Sequence, residues 1–288
     1  MDVKQIQIAT LLCRDQCTAL PGVFDPLSAK IAHSMGFDSA VLTGYSLSAT
    51  YLGEPDIGLM TQSELLHAVY RIKMACPELF LLVDGDNGHG SNQNVVRLVR
   101  ELCHMQCGGV ILEDQIWPKK CGHMEDKQVV SQAEFLSKLK AALDTRPNEQ
   151  FLVVARTDAR AIEGLEQAIE RAQKAVELGV DMVFIEAPQS TAELEKVAKH
   201  VNSNLIANMV PGGKTPLLSR EELTRLGYSA VFYPLEALFS LTEAIQEAFG
   251  NVKADNLHQV SKTRKVNFDQ FNQHIGLEKY IRQEDVTS

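Results

Sequence analysis

Eight short apolar runs, spaced along the chain and separated by polar or helical segments, constrain the fold of this 288-residue sequence more than any other feature. The runs lie at residues 19–24, 39–44, 79–86, 108–114, 151–157, 181–187, 204–209 and 229–234. Most are continuously apolar rather than alternating, which is typical of strands that are covered on both faces in a parallel sheet. The intervening segments, such as 61–75 and 165–179, have helical periodicity.

Eight strand–helix units in one chain predict a (β/α)8 barrel of the TIM type, because an open parallel sheet is usually smaller. The motifs GxGxxG and GxxxxGKS/T are absent, so nothing supports a dinucleotide-binding or P-loop fold. We predict one domain over residues 1–288. Residues from about 250 to 288 should form a helical extension that packs on the barrel or on a neighbouring subunit, through apolar residues such as Phe268, Phe271, Ile275 and Tyr280.

The composition argues against several functional classes. A formal net charge of −9, without a basic stripe, argues against a nucleic-acid partner. No apolar run approaches the ~20 residues that span a bilayer, and the first residues lack the pattern of a signal peptide. The six cysteines are scattered without a CxxC pair, which indicates reduced thiols. We therefore expect a cytoplasmic protein that has no membrane partner and acts on a small molecule.

Charged or amide side chains lie at the carboxyl ends of several successive predicted strands. These residues are Asp84 and Asp86, Glu113 and Asp114, Arg156 and Asp158, Glu186, and Asn208. Catalytic residues of such barrels lie at the carboxyl ends of the strands. One charged strand end would only show where the chain leaves the core, but four successive ends with acids or arginine favour an active site.

Asp84 and Asp86 flank Gly85 in the segment DGDNGHG. Two carboxylates at this spacing suit a hard cation such as Mg²⁺ or Mn²⁺, which takes oxygen ligands and keeps several waters. A solvated turn accounts equally well for this motif alone, because Asp, Asn and Gly are common turn residues. Asp56 and Glu113 are further candidates, as ligands directly or through water. His89 is better interpreted as a loop residue than as a ligand of so hard an ion.

Cys121 follows two lysines and precedes a histidine, in the segment KKCGH. The positive charge of Lys119, Lys120 and His123 favours the thiolate and should bring the pKa of the Cys121 thiol toward neutrality. A thiol of that kind exchanges a proton near pH 7, so Cys121 is a candidate acid/base. The alternative is an inert loop cysteine.

Five segments in this order resemble the isocitrate lyase/phosphoenolpyruvate mutase superfamily, over residues from about Leu20 to Ala248: DGDNGHG, KKCGH, VARTDA, ANMVPGGKTP and FYPLEA. Within it, GYSLSA, EDQIWPKKCGHM and NMVPGGKTPL are most similar to the 2-alkylmalate lyases, and next to the 2-methylisocitrate lyases. The resemblance implies a barrel whose eighth helix is exchanged with a partner subunit, and dimers that pair into tetramers.

The same resemblance implies roles for particular residues. A Mg²⁺ or Mn²⁺ ion would be held by Asp84 and Asp86, with Asp56 and Glu113 acting through water. The catalytic residues would be Cys121 as the acid/base on a mobile loop, with Lys119 and His123 beside it, and Arg156 on a substrate carboxylate. The substrate-binding residues would be Thr43, Gly44, Tyr45, Gly122, Arg156, Glu186, Asn208, Thr215, Pro216, Leu217 and Pro234.

The implied reaction is a retro-Claisen cleavage of the C2–C3 bond of a 2-hydroxy dicarboxylate, which gives a 2-oxoacid such as pyruvate and a second carboxylate. One departure bears on the substrate. The 2-methylisocitrate lyases use two arginines for a third carboxylate, and this chain has Phe239 at the first position and, by our alignment, Asn267 at the second. A shifted alignment would bring Arg264 there. An unpaired buried carboxylate is costly, so we favour alkyl-substituted malates such as 2,3-dimethylmalate.

Four alternatives remain. They are a 2-methylisocitrate lyase, an oxaloacetate hydrolase, a phosphonopyruvate or carboxyphosphonoenolpyruvate mutase, and a barrel kept only as a binding scaffold. The cysteine in KKCGH argues against the phosphonopyruvate-type mutase, and Pro234 argues against the hydrolase, whose members tend to have serine there. The scaffold is disfavoured because the metal aspartates and Cys121 are all present.

Overall fold

The computed structural model describes residues 3–122, 124, 126–260, 266–278 and 280–281. Eight parallel strands close into a barrel in chain order, with β8 paired to β1. The strands are β1 (Thr18–Val23), β2 (Ser39–Leu42), β3 (Phe80–Asp84), β4 (Gly109–Glu113), β5 (Leu152–Thr157), β6 (Met182–Ile185), β7 (Asn204–Asn208) and β8 (Tyr228–Tyr233). Each lies within or next to a predicted run, and the predicted TIM-type barrel is confirmed.

Helices precede the first strand, connect successive strands and follow the last one. They are α1 (Val3–Leu11), α2 (Pro26–Ser34), α3 (Gly44–Leu47), α4 (Gln62–Ala75), α5 (Asn92–His104), α6 (Gln132–Thr145), α7 (Leu165–Leu178), α8 (Thr191–His200), α9 (Arg220–Leu226), α10 (Glu236–Lys253), α11 (Leu257–Val260) and α12 (Phe268–Ile275). Local sequence explains their ends: Thr61 and Glu64 form a capping box at the start of α4, and Gly179 ends α7 in the left-handed conformation.

Two apolar layers explain why the strand sequences are continuously apolar. Residues that point outward pack against the helices, as Val83 and Leu112 do, while residues that point inward fill the barrel. The inner layer contains Leu20, Val41, Phe80, Leu82, Ile111, Leu152, Val154, Met182, Phe184, Ile206, Ala230 and Phe232. Leu11 of α1 joins this layer, so the N-terminal helix packs on the barrel interior. The barrel is therefore a filled core, and its chemistry is confined to its ends.

The last barrel helix and the C-terminal helices are much less buried than the rest. Leu238 is the one buried residue of α10 among those described, and the side chains of Phe268 and Tyr280 are 81% and 68% exposed. Helix α12 packs on α2, where the Lys30 ammonium donates to the carbonyl of Ile275 at 2.8 Å. Within the described ranges, no helix combines the length and the apolar character needed to cross a membrane.

Candidate active site

A cavity opens at the carboxyl ends of the barrel strands. Ten of the residues predicted from the sequence line it: Thr43, Tyr45, Asp56, Asp84, Cys121, Gly122, Arg156, Glu186, Asn208 and Pro234. They come from the ends of six strands and from the two long loops after β2 and β4. The barrel thus brings together residues that are distant in the chain, and strand ends account for most of them.

A buried lysine lies among the aspartates at one side of this cavity. The Lys119 ammonium is 2.6 Å from Asp56 Oδ1 and 2.6 Å from Asp86 Oδ1. Burial alone would lower the pKa of Lys119, but Asp86, Asp56 and Asp84 together raise it well above its usual value. Burial raises the pKa of the carboxyls of Asp56 and Asp86, against the effect of Lys119. Lys119 therefore stays charged.

The loop after β2 brings backbone amides to the same cluster. The Gly44 amide donates to Asp84 Oδ2 at 3.3 Å, and Thr43 Oγ1 caps the short helix α3 by accepting from the Ser46 amide. A Cβ atom at Gly44 would lie 3.2 Å from both Asp84 Oδ2 and Lys119 Nζ. A side chain at position 44 would crowd the cluster, which explains a glycine beside the predicted metal ligands.

Arg156 organises the opposite side of the cavity. Its guanidinium is 3.3 Å from Glu113 Oε2, 3.3 Å from Glu186 Oε2 and 2.9 Å from Asp158 Oδ2. Burial alone would lower the pKa of Arg156, but these carboxylates raise it well above its usual value. Asn208 Nδ2 donates to Glu186 Oε2 at 3.4 Å. Arg156 is therefore a permanent cation at the cavity wall, where it suits a substrate carboxylate.

The segment with Cys121 is held over the cavity by a bond to the loop after β2 and by bonds within its own loop. The Cys121 amide donates to the carbonyl of Asp56 at 3.1 Å, and the Gln115 side chain bonds both backbone groups of Lys120. A bridge between Gln115 and Val129 closes the base of the loop. Gly122 lies against Glu186 and Arg156, so that a Cβ there would be 2.5 Å from Glu186 Oε2. His123 lies outside the described residues, as does Arg264.

Some predicted residues lie away from the lining. Among the described residues, Thr215, Pro216 and Leu217 do not line this cavity, and Leu217 is 59% exposed, so their contact with substrate stays a prediction. Phe239 on α10 is also outside the lining. The His89 side chain is buried beside the Trp117 ring in the loop after β3, and burial lowers its pKa to about 4, so it is a neutral loop residue.

Sequence reasoning missed the apolar wall of the cavity. Val41, Ile111, Phe184, Val210, Phe232 and Leu235 complete the lining. Four of these are inward-facing residues of strands, which a count of alternate positions along the predicted strands would have found. Tyr45, Val210 and Leu235 join Phe24 and Leu238 in a small apolar cluster at one edge of the cavity. The cavity is therefore charged on one side and apolar on the other.

The donor set fits a hard divalent cation. Asp56, Asp84, Asp86 and Glu113 supply only oxygen atoms, and Glu113 Oε1 is buried without a hydrogen-bond partner, so it has a lone pair available for a cation or its water. In the described part of the chain, no three His, Cys, Asp or Glu side chains are close enough to hold an ion by themselves. Carboxylate oxygens are the ligands that suit Mg²⁺, which keeps several of its own waters.

Comparisons with known proteins agree with this geometry. The model of the phosphoenolpyruvate phosphomutase family matches residues 8–253. The chain belongs to this family. It is 39% identical to a 2,3-dimethylmalate lyase of Eubacterium barkeri, over 93% of each chain, and 42% identical to the petal death protein of Dianthus caryophyllus, over 92% of this chain and 83% of that one.

Solved structures lead to the same conclusion. The structure of an oxaloacetate acetylhydrolase in complex with the inhibitor 3,3-difluorooxalacetate superposes with a TM-score of 0.92 at 29% identity, covering 99% of this chain and 97% of that one. The superfamily resemblance seen in the sequence is confirmed. The chain is an enzyme, and the lyase names among its relatives agree with the carbon–carbon lyase class.

Proposed function

We propose that the protein cleaves the C2–C3 bond of a 2-alkylmalate such as 2,3-dimethylmalate, in a reaction that needs Mg²⁺ or Mn²⁺ and yields a 2-oxoacid and a carboxylate. The observation that carries this proposal is the two-sided cavity. Arg156 is its one cationic lining residue among those described, and the facing wall is made by Tyr45, Val210, Pro234 and Leu235. A third carboxylate would meet apolar atoms there, whereas an alkyl group gains from burial.

The chain's own residues have separate tasks in this proposal. A divalent cation held by Asp84 and Asp86, with Asp56 and Glu113 through water, would supply Lewis-acid polarisation of the substrate's C2 oxygen and carboxylate. Arg156 binds a substrate carboxylate. Lys119 adds a buried positive charge beside the aspartates, which stabilises the negative charge that develops as the bond breaks. Cys121 delivers a proton to the carbon that leaves, while its loop excludes water.

A 2-oxoacid release assay tests the proposed substrate. The purified protein with Mg²⁺ is offered malates substituted at C2 and C3, 2-methylisocitrate, oxaloacetate and phosphonopyruvate. We expect the highest kcat/KM for a 2-alkylmalate, and no release after chelation of the metal. Turnover of 2-methylisocitrate that equals or exceeds that of every alkylmalate would overturn the substrate assignment.

Oxaloacetate hydrolysis is the second candidate, because the inhibited oxaloacetate acetylhydrolase has so similar a structure. Pro234 argues against it, since a prolyl side chain offers no hydroxyl to the cavity. Direct measurement of acetate and oxalate distinguishes the two: their release from oxaloacetate, faster than cleavage of any malate, favours the hydrolase.

We further propose one domain over residues 1–288, in a cytoplasmic homodimer or homotetramer that exchanges the eighth barrel helix. The support is the apolar face of α10, where Leu241, Ile245, Phe249 and Val252 are between 39% and 70% exposed. An apolar groove beside α2, lined by Leu27, Ile31, Met35 and Phe37 among others, is open next to it. One copy's helix has the right chemistry for the other copy's groove.

A further inference from the structure

Lys127 lies in the loop between β4 and α6, on the C-terminal side of Cys121. The proposed reaction gives Lys127 no role. Its side chain is 2% exposed, although lysine is almost never fully buried without a partner. Its ammonium donates to the carbonyl oxygen of Gly122 and, at 2.8 Å, to Asp158 Oδ1. It therefore joins the residue next to Cys121 to a residue of the barrel that follows strand β5.

Asp158 continues this connection into the cavity wall. Its second carboxylate oxygen accepts from Arg156 Nε at 2.9 Å, and Arg156 in turn contacts Glu113 and Glu186. Burial would raise the pKa of Asp158, but Arg156 and Lys127 hold it below its usual value, so the carboxylate is charged. A charged, fully buried carboxylate gives the Lys127 ammonium a fixed anchor.

Gly122, whose carbonyl Lys127 binds, lies directly against the cavity wall. A Cβ at Gly122 would meet Arg156 Nη2 at 2.7 Å, so the Cys121–Gly122 segment rests directly on the cavity wall. The Cys121 amide also donates to the carbonyl of Asp56 in the loop after β2, and the Cys121 carbonyl accepts from the Met124 amide. Lys127 connects the backbone of this segment to a charged group of the barrel, the carboxylate of Asp158.

We propose that Lys127 is a positioning residue that latches the Cys121–Gly122 segment onto Asp158 and so keeps the thiol over the cavity. Holding the Cys121 thiol in place affects the reaction only if Cys121 is the proton donor, so the catalytic part of this inference rests on the proposed function. The latch itself is independent of substrate. Without it, the loop keeps its base, the ion pairs of Lys119 and the bond from the Cys121 amide to the Asp56 carbonyl, but the Gly122 side of the segment is released and Cys121 spends more time away from the cavity.

The test compares Lys127→Met, which keeps the chain length and removes the charge, with Lys127→Arg, which keeps the positive charge and the donors. Lys73→Met is the matched control, because Lys73 on helix α4 is also a buried ammonium that bonds two carbonyls, those of Pro77 and Leu79. The first measurement is the rate of Cys121 alkylation by iodoacetamide without substrate, read by peptide mass spectrometry. The second is kcat and KM for the best substrate.

We expect Cys121 in Lys127→Met to label about tenfold faster than in wild type, because labelling follows the population of the open loop. Lys127→Arg and Lys73→Met should stay within about threefold of wild type. In Lys127→Met, kcat should fall about tenfold while KM changes less, since the contacts of Arg156 with substrate remain. Lys127→Arg should recover most of kcat.

Unchanged labelling of Cys121 in Lys127→Met overturns the latch, whatever its kcat. Equal acceleration in Lys73→Met also overturns it, because the effect would then be general destabilisation. If Lys127→Met does not fold by circular dichroism, Lys127→Gln is measured in its place and judged by the same criteria. If labelling rises as expected but wild type cleaves no malate, the latch stands and the proposed function fails.

Discussion

At the scale of single residues, the proposed role of Cys121 is the most direct to test. A general acid contributes about 10²- to 10⁴-fold to a rate, so Cys121→Ser should lower kcat for the best malate by at least about 10²-fold. KM should change little, because Arg156 and the proposed divalent cation still hold the substrate. Cys13→Ser, at a half-buried cysteine of the N-terminal segment, is the control and should keep wild-type kinetics. An unimpaired Cys121→Ser enzyme would remove the thiol from the mechanism.

The buried cysteines Cys17 and Cys107 should resist alkylation up to high pH. Burial raises the pKa of the Cys17 and Cys107 thiols to about 12. A thiol with that pKa is only about 1% ionised at pH 10, so both should stay unlabelled by iodoacetamide in the native protein up to that pH. The partly exposed Cys13 should react there, and denaturant should expose all three. Native labelling of Cys17 or Cys107 at pH 8 would contradict the burial of these two thiols.

At the scale of elements, substitution of two glycines by alanine should have different effects, one on stability and the other on activity. A Cβ at Gly22 would lie 2.3 Å from the Pro234 carbonyl oxygen, which is backbone, so Gly22→Ala should disturb the β1–β8 closure and lower the melting temperature by several degrees. At Gly122 the nearest atoms belong to the side chains of Glu186 and Arg156 rather than to backbone. Gly122→Ala should therefore fold normally and lose about tenfold or more in kcat, because the loop is pushed away. Thermal melts and kinetics of both variants check this contrast, and a stable, fully active Gly122→Ala would contradict it.

The elements also differ in how far the sequence determines them. All eight strands are predictable, since a continuous apolar run of strand length between turn signals is typical of a buried strand. The strand-end residues Asp84, Arg156 and Glu186 follow from them, because barrel geometry gathers strand ends. Lys127 is not predictable in this way: its contacts with Gly122 and Asp158 depend on how one long loop folds back, and no periodicity encodes that. The exposure of Leu217, in the loop after β7, is not encoded by periodicity either, and its contact with substrate stays a prediction.

At the scale of the whole molecule, the apolar face of α10 predicts an assembly. Phe249 and Val252 are 70% and 56% exposed and lie on one side of the helix with Ile245. Burying a side chain such as Phe or Val contributes about 1.5–3 kcal/mol, and a two-fold interface contains each residue twice. Replacing both by glutamate should therefore cost enough to dissociate a dimer or tetramer into monomers at micromolar concentration.

Light scattering during gel filtration measures this change. The double variant Phe249→Glu, Val252→Glu should elute as a folded monomer of about half or a quarter of the wild-type mass. Met74→Glu, at a 66% exposed apolar residue on α4, is the matched control and should keep the wild-type mass. Because helix exchange would place α10 against the partner's α2, Met35→Glu in the groove should weaken the assembly as the double variant does. A wild-type monomer, or a double variant of unchanged mass, would show that α10 does not mediate contact between subunits.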